Sequence, residues 1–427
     1  MAAMPRLRIP LILLCTVALA ACGSHATANP SLAPGQTQSA ATDATDAPDA
    51  GATDTPDAGP TDDGIDELPS IDPNATFLDV PSLEVQLDQA SSAQFAGVFA
   101  AADEDINPDG QSFYEAEQVD VLVDDPTPGH DPIALASSPD GPEFFIGPAA
   151  AVLVARDRGA DLVNIAQIFQ RSGMRIVALA SSGITSVAQL KGKRLLVLDH
   201  GRDADATIAL QASGLDPKKD VRLSHEDFDP DLLASGAVNA AQVSIQDEYA
   251  QLLETVNPKT DQLYNPAALT LIDLSTPALA TLQDGIYARA SWLAQPGNED
   301  VAVRFLRATL RGWIYCRDHF EDCAQLVSDT SSATAPTQHQ RWVLNESEAL
   351  IWPSAAGIGA LDTSAWDHTA QAALGAGLLK AAPSADAARS DLLQQALSGL
   401  SDLDTKGAAF AKATVQITPG GEDPQTP

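Results

Sequence analysis

From Leu83 to Ala288 the chain keeps returning to one device: a short apolar run, stopped by Gly, Pro or Asp, then a stretch with helical spacing. Leu83 to Leu87 alternates apolar and polar residues and leads into the loop Ser91 to Gly97. Val119 to Val123 and Phe144 to Ile146 follow, the latter stopped by Gly147-Pro148 and continued by the helical stretch Ala149 to Arg158. Leu162 to Gln167 and Arg175 to Ala180 read as the next strands of the same unit. A second unit opens at Thr185, with strands at Leu195 to Leu198 and Ala240 to Ser244 and helices from Ala204, at Asp231 to Ala234 and at Gln246 to Thr255. Asp284 to Ala288 reads as a strand returning to the first unit. Strands separated by helices cannot close as hairpins. The chain has to cross over and lay them in parallel under helical layers, so the fold class is α/β.

Beyond residue 297 the pattern turns helical. Asn298 is placed to cap a helix whose first turn carries Glu299 and Asp300, both favourable at the positive end of the dipole. Its apolar face is Val301, Phe305, Leu306, Leu310, Trp313 and Ile314, while Arg304, Arg307 and Arg311 share another side, either as solvated surface or as a dock for an acidic partner. Helices near Gln340 to Leu350 and Ala365 to Leu378 are expected to pad the first unit.

Ahead of the α/β region lie two segments that do not fold. Arg6 and Arg8, the apolar stretch Ile9 to Ala21 and Leu19-Ala20-Ala21-Cys22 have the layout of a bacterial lipoprotein signal: a positive start, an apolar run too short to span a bilayer, and small residues before the cleavage point. Cys22 is therefore the expected lipidation site, and acyl chains there would hold the protein on the extracytoplasmic face of the cell membrane. Residues 23–75 are rich in Ala, Thr, Asp, Pro and Gly and hold no Lys, Arg or aromatic residue. Such a segment cannot bury enough apolar surface to offset its ordering entropy and reads as an acidic tether with a reach of about 40 Å.

The net charge of −34 repels polyanions, and no basic patch offsets it, so nucleic acid is excluded as a partner. Of the four cysteines, Cys316 and Cys323 remain after the signal and the lipid site. On one straight helix they would be separated by about 10 Å of rise, out of disulfide reach, so a bond requires the helix to break near Asp318 to Phe320. Without that break they are buried free thiols. His319 alone completes no zinc set, and neither metal nor cofactor is expected.

Several pieces, ordered as they are, resemble the family of substrate-binding proteins related to the thiamine-pyrimidine synthases. They are Gln94 to Gly97, the run Val154 to Gln170, Gly183 to Ser186 with Leu190 to Arg194, and Arg311 to Tyr315. The resemblance runs from about residue 82 to 400. It implies a type II periplasmic-binding fold: two α/β lobes joined by two crossing strands, with C-terminal helices packed on lobe 1. It also implies capture of a small organic molecule, with a pyrimidine-type nitrogen heterocycle favoured, and delivery to an ABC permease. The expected boundaries are 1–22 for the signal, 23–75 for the tether, 76–183 for the first part of lobe 1 and 184–284 for lobe 2. Residues 285–415 make the return strand and C-terminal helices, and 416–427 a disordered tail.

In open α/β sheets ligands sit at the carboxyl ends of strands, where helix N-termini offer free backbone donors. The candidate lining is then Gln94 and Phe95, Phe145 and Gly147, Gln170 and Arg171, His200 and Gly201, Gln246, Glu248 and Tyr249, with Asp284 at the crossover. Phe95 and Phe145 fit a core as well as a stacking platform, His200 a loop satisfied by neighbouring Asp residues, and Glu248 a helix surface. Closure is expected about the strands near Ala180 to Ser182 and Asp284 to Ala288. No G-x-S-x-G, H-E-x-x-H, Walker A or dinucleotide motif is present, which argues against an enzyme. A pyrimidine-synthase-like enzyme of the same fold and a ligand sensor without transport remain the alternatives.

Overall fold

The computed structural model describes residues 80–107, 110–198, 201–330 and 336–424. The strands are β1 Ser82–Leu87, β2 Asp120–Asp124, β3 Phe144–Pro148, β4 Leu162–Gln167, β5 Met174–Leu179, β6 Arg194–Val197, β7 Arg222–His225 and β8 Ala240–Ser244. They continue as β9 Val256–Asn257, β10 Gln262–Leu263, β11 Leu269–Asp273 and β12 Asp284–Arg289. The helices are α1 Ala96–Ala102, α2 Phe113–Ala116, α3 Pro132–Ala136, α4 Ala149–Asp157, α5 Ala204–Ala212, α6 Pro230–Ser235 and α7 Glu248–Glu254. After β12 come α8 Ala290–Leu293, α9 Asn298–Asp318, α10 Phe320–Thr330, α11 Thr337–Ile351, α12 Thr363–Gly375 and α13 Asp391–Ser398.

Two five-stranded sheets organise these elements, in the orders β2-β1-β3-β12-β4 and β11-β5-β8-β6-β7. In the first, β1 is parallel to β2 and β3, and β12 runs antiparallel between β3 and β4. In the second, β6 is parallel to β7 and β8, while β5 and β11 run antiparallel. The central strands are apolar on both faces: every residue of β3, β4, β8 and β12 is buried. Helices cover each face, as a mostly parallel sheet requires. In the first lobe Phe144 stacks on Phe305 of α9 at a ring separation of 3.9 Å and meets the edge of Trp292 at 5.3 Å.

The closest helix contact in that lobe is α1 on α9. A Cβ on Gly97 would stand 2.2 Å from the Trp313 ring, and one on Gly312 would stand 2.0 Å from the Gly97 carbonyl oxygen. Two glycines let the helix backbones touch, and any side chain there would force them apart.

Three sequence expectations change here. β5 pairs with β8 and β11, so it belongs to the second sheet. The chain therefore crosses between sheets at residues 168–173, ahead of the expected boundary at 183 and of the expected hinge at Ala180 to Ser182; the return crossing spans 274–283. A strand following another after a short loop ordinarily pairs beside it, and nothing in the composition of 168–173 announces a crossing. At the start of α9 the cap position falls on Gly297 at φ +90°, and Asn298 donates from Nδ2 to the Trp292 carbonyl instead of capping. The residues expected as a disordered tail are packed as far as they are described: Gln338 donates to the Gln416 carbonyl at 2.6 Å, and Thr418 and Gly421 are buried.

The arginine side of α9 turns inward. Arg304 donates to the carbonyls of Glu117 and Gln118 at 3.0 and 2.9 Å, and Arg307 to Glu117 at 3.1 Å, so they complete the end of α2 instead of meeting a partner. Helix α9 breaks at His319, and Cys316 and Cys323 on either side are disulfide-bonded with Cα atoms 5.1 Å apart.

Candidate functional site

The carboxyl ends of the strands of the two sheets converge on one small cavity. From the first lobe it receives Asp88, just after β1, Gln94 from the short turn before α1, Pro148 at the end of β3 and Asp284 at the start of β12. From the second it receives Met174, Arg202, Asp205 in the first turn of α5, and Ser244 and Gln246 at the end of β8; Gln283 completes the lining from the return crossing. The space left between them is about 10 Å³, about that of one water.

Polar side chains join the lobes across it. Gln94 donates from Nε2 to Asp284 Oδ2 at 2.6 Å, and Gln246 donates to Gln94 Oε1 at 3.3 Å. Arg202 donates to Glu248 Oε1 at 3.0 Å, and Glu248 Oε2 accepts from the backbone and hydroxyl of Ser244. Asp205 accepts from Thr281 and from Gln283 Nε2.

Burial sets the electrostatics. It lifts Asp88 well above the usual carboxylate range, helped by the negative charge of Asp284 and opposed by Arg202. It lifts Asp284 to about 6, with Gln94 and Arg202 pulling back, and Asp205 to about 6 against hydrogen bonds from Thr281 and Gln283. Burial also works against the Arg202 charge, but Glu248, Asp88, Asp247 and Asp284 together leave that guanidinium more basic than usual.

Next to the cavity, α11 is tied to the second lobe. His339 contacts Glu254 through Nδ1 at 2.9 Å and Asp247 through Nε2 at 3.2 Å, and Trp342 donates to the Ile245 carbonyl at 3.1 Å. Burial opposes the His339 charge, but Asp247 and Glu254 outweigh it and bring the imidazole to about 10.

Of the residues proposed from sequence, Gln94, Gln246 and Asp284 line the cavity. Glu248 stands one layer back, holding Arg202 and Ser244. Phe95, Phe145 and Tyr249 do not line it: they are 1%, 0% and 6% exposed and packed in the cores. An aromatic residue after a strand reads the same whether it faces a cleft or a core. Gly147 pairs with Gly285 inside the first sheet, where a Cβ would come 2.7 Å from the Phe145 ring and 3.0 Å from Asp88 Cβ. Gly201 makes the turn into α5 at φ +81°. His200 and Cys22 lie outside the described residues.

Gln170 and Arg171 sit elsewhere, on a cavity of about 620 Å³ bordered by both crossing segments and the start of α12. Arg171 donates to the carbonyls of Leu350, Trp352 and Pro353 at 3.3, 3.2 and 2.8 Å and so closes the end of α11. Sequence reasoning missed Asp88, Arg202 and Asp205. Each had a legible position, directly after a strand or in the loop and first turn that follow β6, but a lone acidic residue in such a place is also ordinary surface.

The family profile described as NMT1/THI5 like matches residues 92–322, more than half of the chain. The chain belongs to the NMT1/THI5-like family. No curated protein is significantly similar to it in sequence. Among solved structures it is similar to the alkanesulfonate-binding protein SsuA from Xanthomonas axonopodis pv. citri bound to MOPS, at TM-score 0.53 and 16% identity over 72% of this chain and 98% of that one. The periplasmic sulfonate-binding protein SsuA from Methylobacillus flagellatus KT gives 0.52 and 17% over 75% and 95%. DSZB in complex with biphenyl-2-sulfinic acid gives 0.51 and 14% over 75% and 99%; its title words elsewhere are desulfurization enzyme. At such identities the likeness establishes the fold alone, the two-lobed periplasmic-binding arrangement, which serves binding proteins and an enzyme alike.

Proposed function

We propose that this NMT1/THI5-like chain is an extracytoplasmic solute-binding lipoprotein that captures a small nitrogen-bearing organic molecule, of the pyrimidine kind, and delivers it to an ABC permease. The observation that carries the reading is the bridge from Asp284 through Gln94 to Gln246, which joins polar groups of both lobes at the strand ends. A solute held there contacts both lobes and so favours their closed arrangement, the state a permease can recognise. Family membership and the likeness to two sulfonate-binding proteins support a receptor role over a catalytic one. The signal-like start with Cys22 and the acidic tether of residues 23–75 support attachment outside the membrane, and among the described residues no helix is long and apolar enough to cross it. The amide and carboxylate lining suits ring nitrogens and amino groups; without an aromatic side chain on the cavity, recognition rests on hydrogen bonds instead of stacking.

A thermal-shift screen of the purified protein against aminopyrimidines, flavins, purines, sulfonates and nitrate tests this. A ligand at a hundred times its dissociation constant stabilises the protein by about 2.7 kcal/mol, a readable rise in Tm. A melting point indifferent to every compound would sink the receptor reading.

A further inference from the structure

The cavity between the lobes carries three carboxylates, Asp88, Asp205 and Asp284, against one guanidinium, Arg202. Most of these groups are already engaged. Arg202 is paired with Glu248 at 3.0 Å, Asp205 accepts from Thr281 and Gln283, and Asp284 accepts from Gln94 at 2.6 Å. Among the described residues lining the cavity, the buried side-chain atoms without a partner are Asp88 Oδ1 and Gln246 Oε1. Their side chains are on residues only 6% and 4% exposed, and both atoms are acceptors. Asp88 is also fixed in place, since its backbone N–H donates to the Ile146 carbonyl at 3.1 Å. A buried acceptor without a donor keeps its full desolvation cost until a donor arrives, and a carboxylate gains most from a donor that brings positive charge.

We infer that the solute is a cation, which presents a protonated amine or amidine nitrogen to Asp88 and Gln246, and that the cleft rejects sulfonates and other anions. An anion would bring further acceptors to a site whose open positions are acceptors, and would have to take Arg202 from Glu248. The inference rests on the receptor reading above and narrows it to one charge class. It also separates this chain from the sulfonate-binding proteins that share its fold.

The charged groups facing Asp88 are Asp284, Arg202 and Glu248, and Arg202 also faces Asp284 and Asp205. Because burial holds protons on these carboxylates, an entering cation replaces protons, and its affinity rises with pH. Isothermal titration with putrescine, doubly charged throughout pH 5.5 to 8, with an aminomethyl-pyrimidine and its neutral hydroxymethyl counterpart, and with MOPS, tests this on the purified protein. The expected result is at least one cationic probe binding about tenfold or more tighter than the neutral pyrimidine, with affinity increasing about tenfold across that pH range. D88N is expected to lose about tenfold in affinity for that probe while still unfolding cooperatively, and Q246L, which removes the other acceptor, to lose a similar amount. Tighter binding of the neutral pyrimidine, or MOPS binding that weakens as pH rises, overturns the charge assignment and leaves the receptor reading standing. Binding of no probe from any class overturns both.

Discussion

Two cavities border the same crossing segments, and they differ in almost everything a ligand would read. The larger, about 620 Å³, is where sequence reasoning placed Gln170 and Arg171, and its guanidinium groups are spent on the protein itself: Arg171 on three carbonyls and Arg175 on Asp273 at 3.2 Å. The smaller, about 10 Å³, holds carboxylates lifted by burial and acceptors with nothing to accept. Volume alone would choose the first. Unmet chemistry chooses the second, because a folded protein rarely keeps costly groups apart from their partners unless a ligand supplies them.

The sharpest way to break this contrast is to untie the cleft side. His339→Ala leaves Asp247 and Glu254 buried without their cation and should cost about 3 kcal/mol in urea unfolding at pH 7, with solute affinity falling as well. The imidazole sits at about 10 when folded and near 6.5 when unfolded, so its contribution is complete below pH 6.5, declines above it and is gone beyond pH 10. An equal cost at pH 7 and pH 11 would show that lost packing, not the ion pairs, is responsible.

A smaller effect of opposite sign is expected at the cavity itself. Asp88 is raised in the folded state, so that state holds a proton which the unfolded chain releases as pH climbs above about 4, and stability is lost with rising pH. Asp88→Asn should therefore stabilise the ligand-free protein by about 1 kcal/mol at pH 7 while it loses solute affinity, the exchange of stability for function expected of a binding group. A destabilised variant would mean that Asp88 serves the fold.

The least effect on binding belongs to the larger cavity. Arg171→Ala should cost about 1 kcal/mol of stability through the carbonyls it leaves at the end of α11, and Gln170→Ala less, with affinity in both within twofold of the parent by titration. A tenfold loss of affinity in either would return the larger cavity to the site.

The contrast also marks how far residues can be read in order. Strand and helix positions were legible because periodicity is local: Leu83 to Leu87, Phe144 to Ile146 and Ala240 to Ser244 form strands where their apolar runs lie. Leu269–Asp273 was missed, since an edge strand of five residues with exposed positions carries little pattern. At the site, Gln94, Gln246 and Asp284 could be found because strand ends in an α/β sheet point to the crevice. Asp88 and Arg202 could not, because what distinguishes them is a partner or a missing partner far along the chain.

Local order thus determined the elements, the α/β class, the acidic tether and the break between Cys316 and Cys323 that a bond between them requires. Tertiary structure alone decided which sheet β5 joins, that Phe95 and Phe145 face cores, and that Arg202 meets Glu248 across 46 residues. Pairing, burial and charge compensation are properties of neighbours in space, and a linear pattern holds no record of which distant residues those neighbours will be.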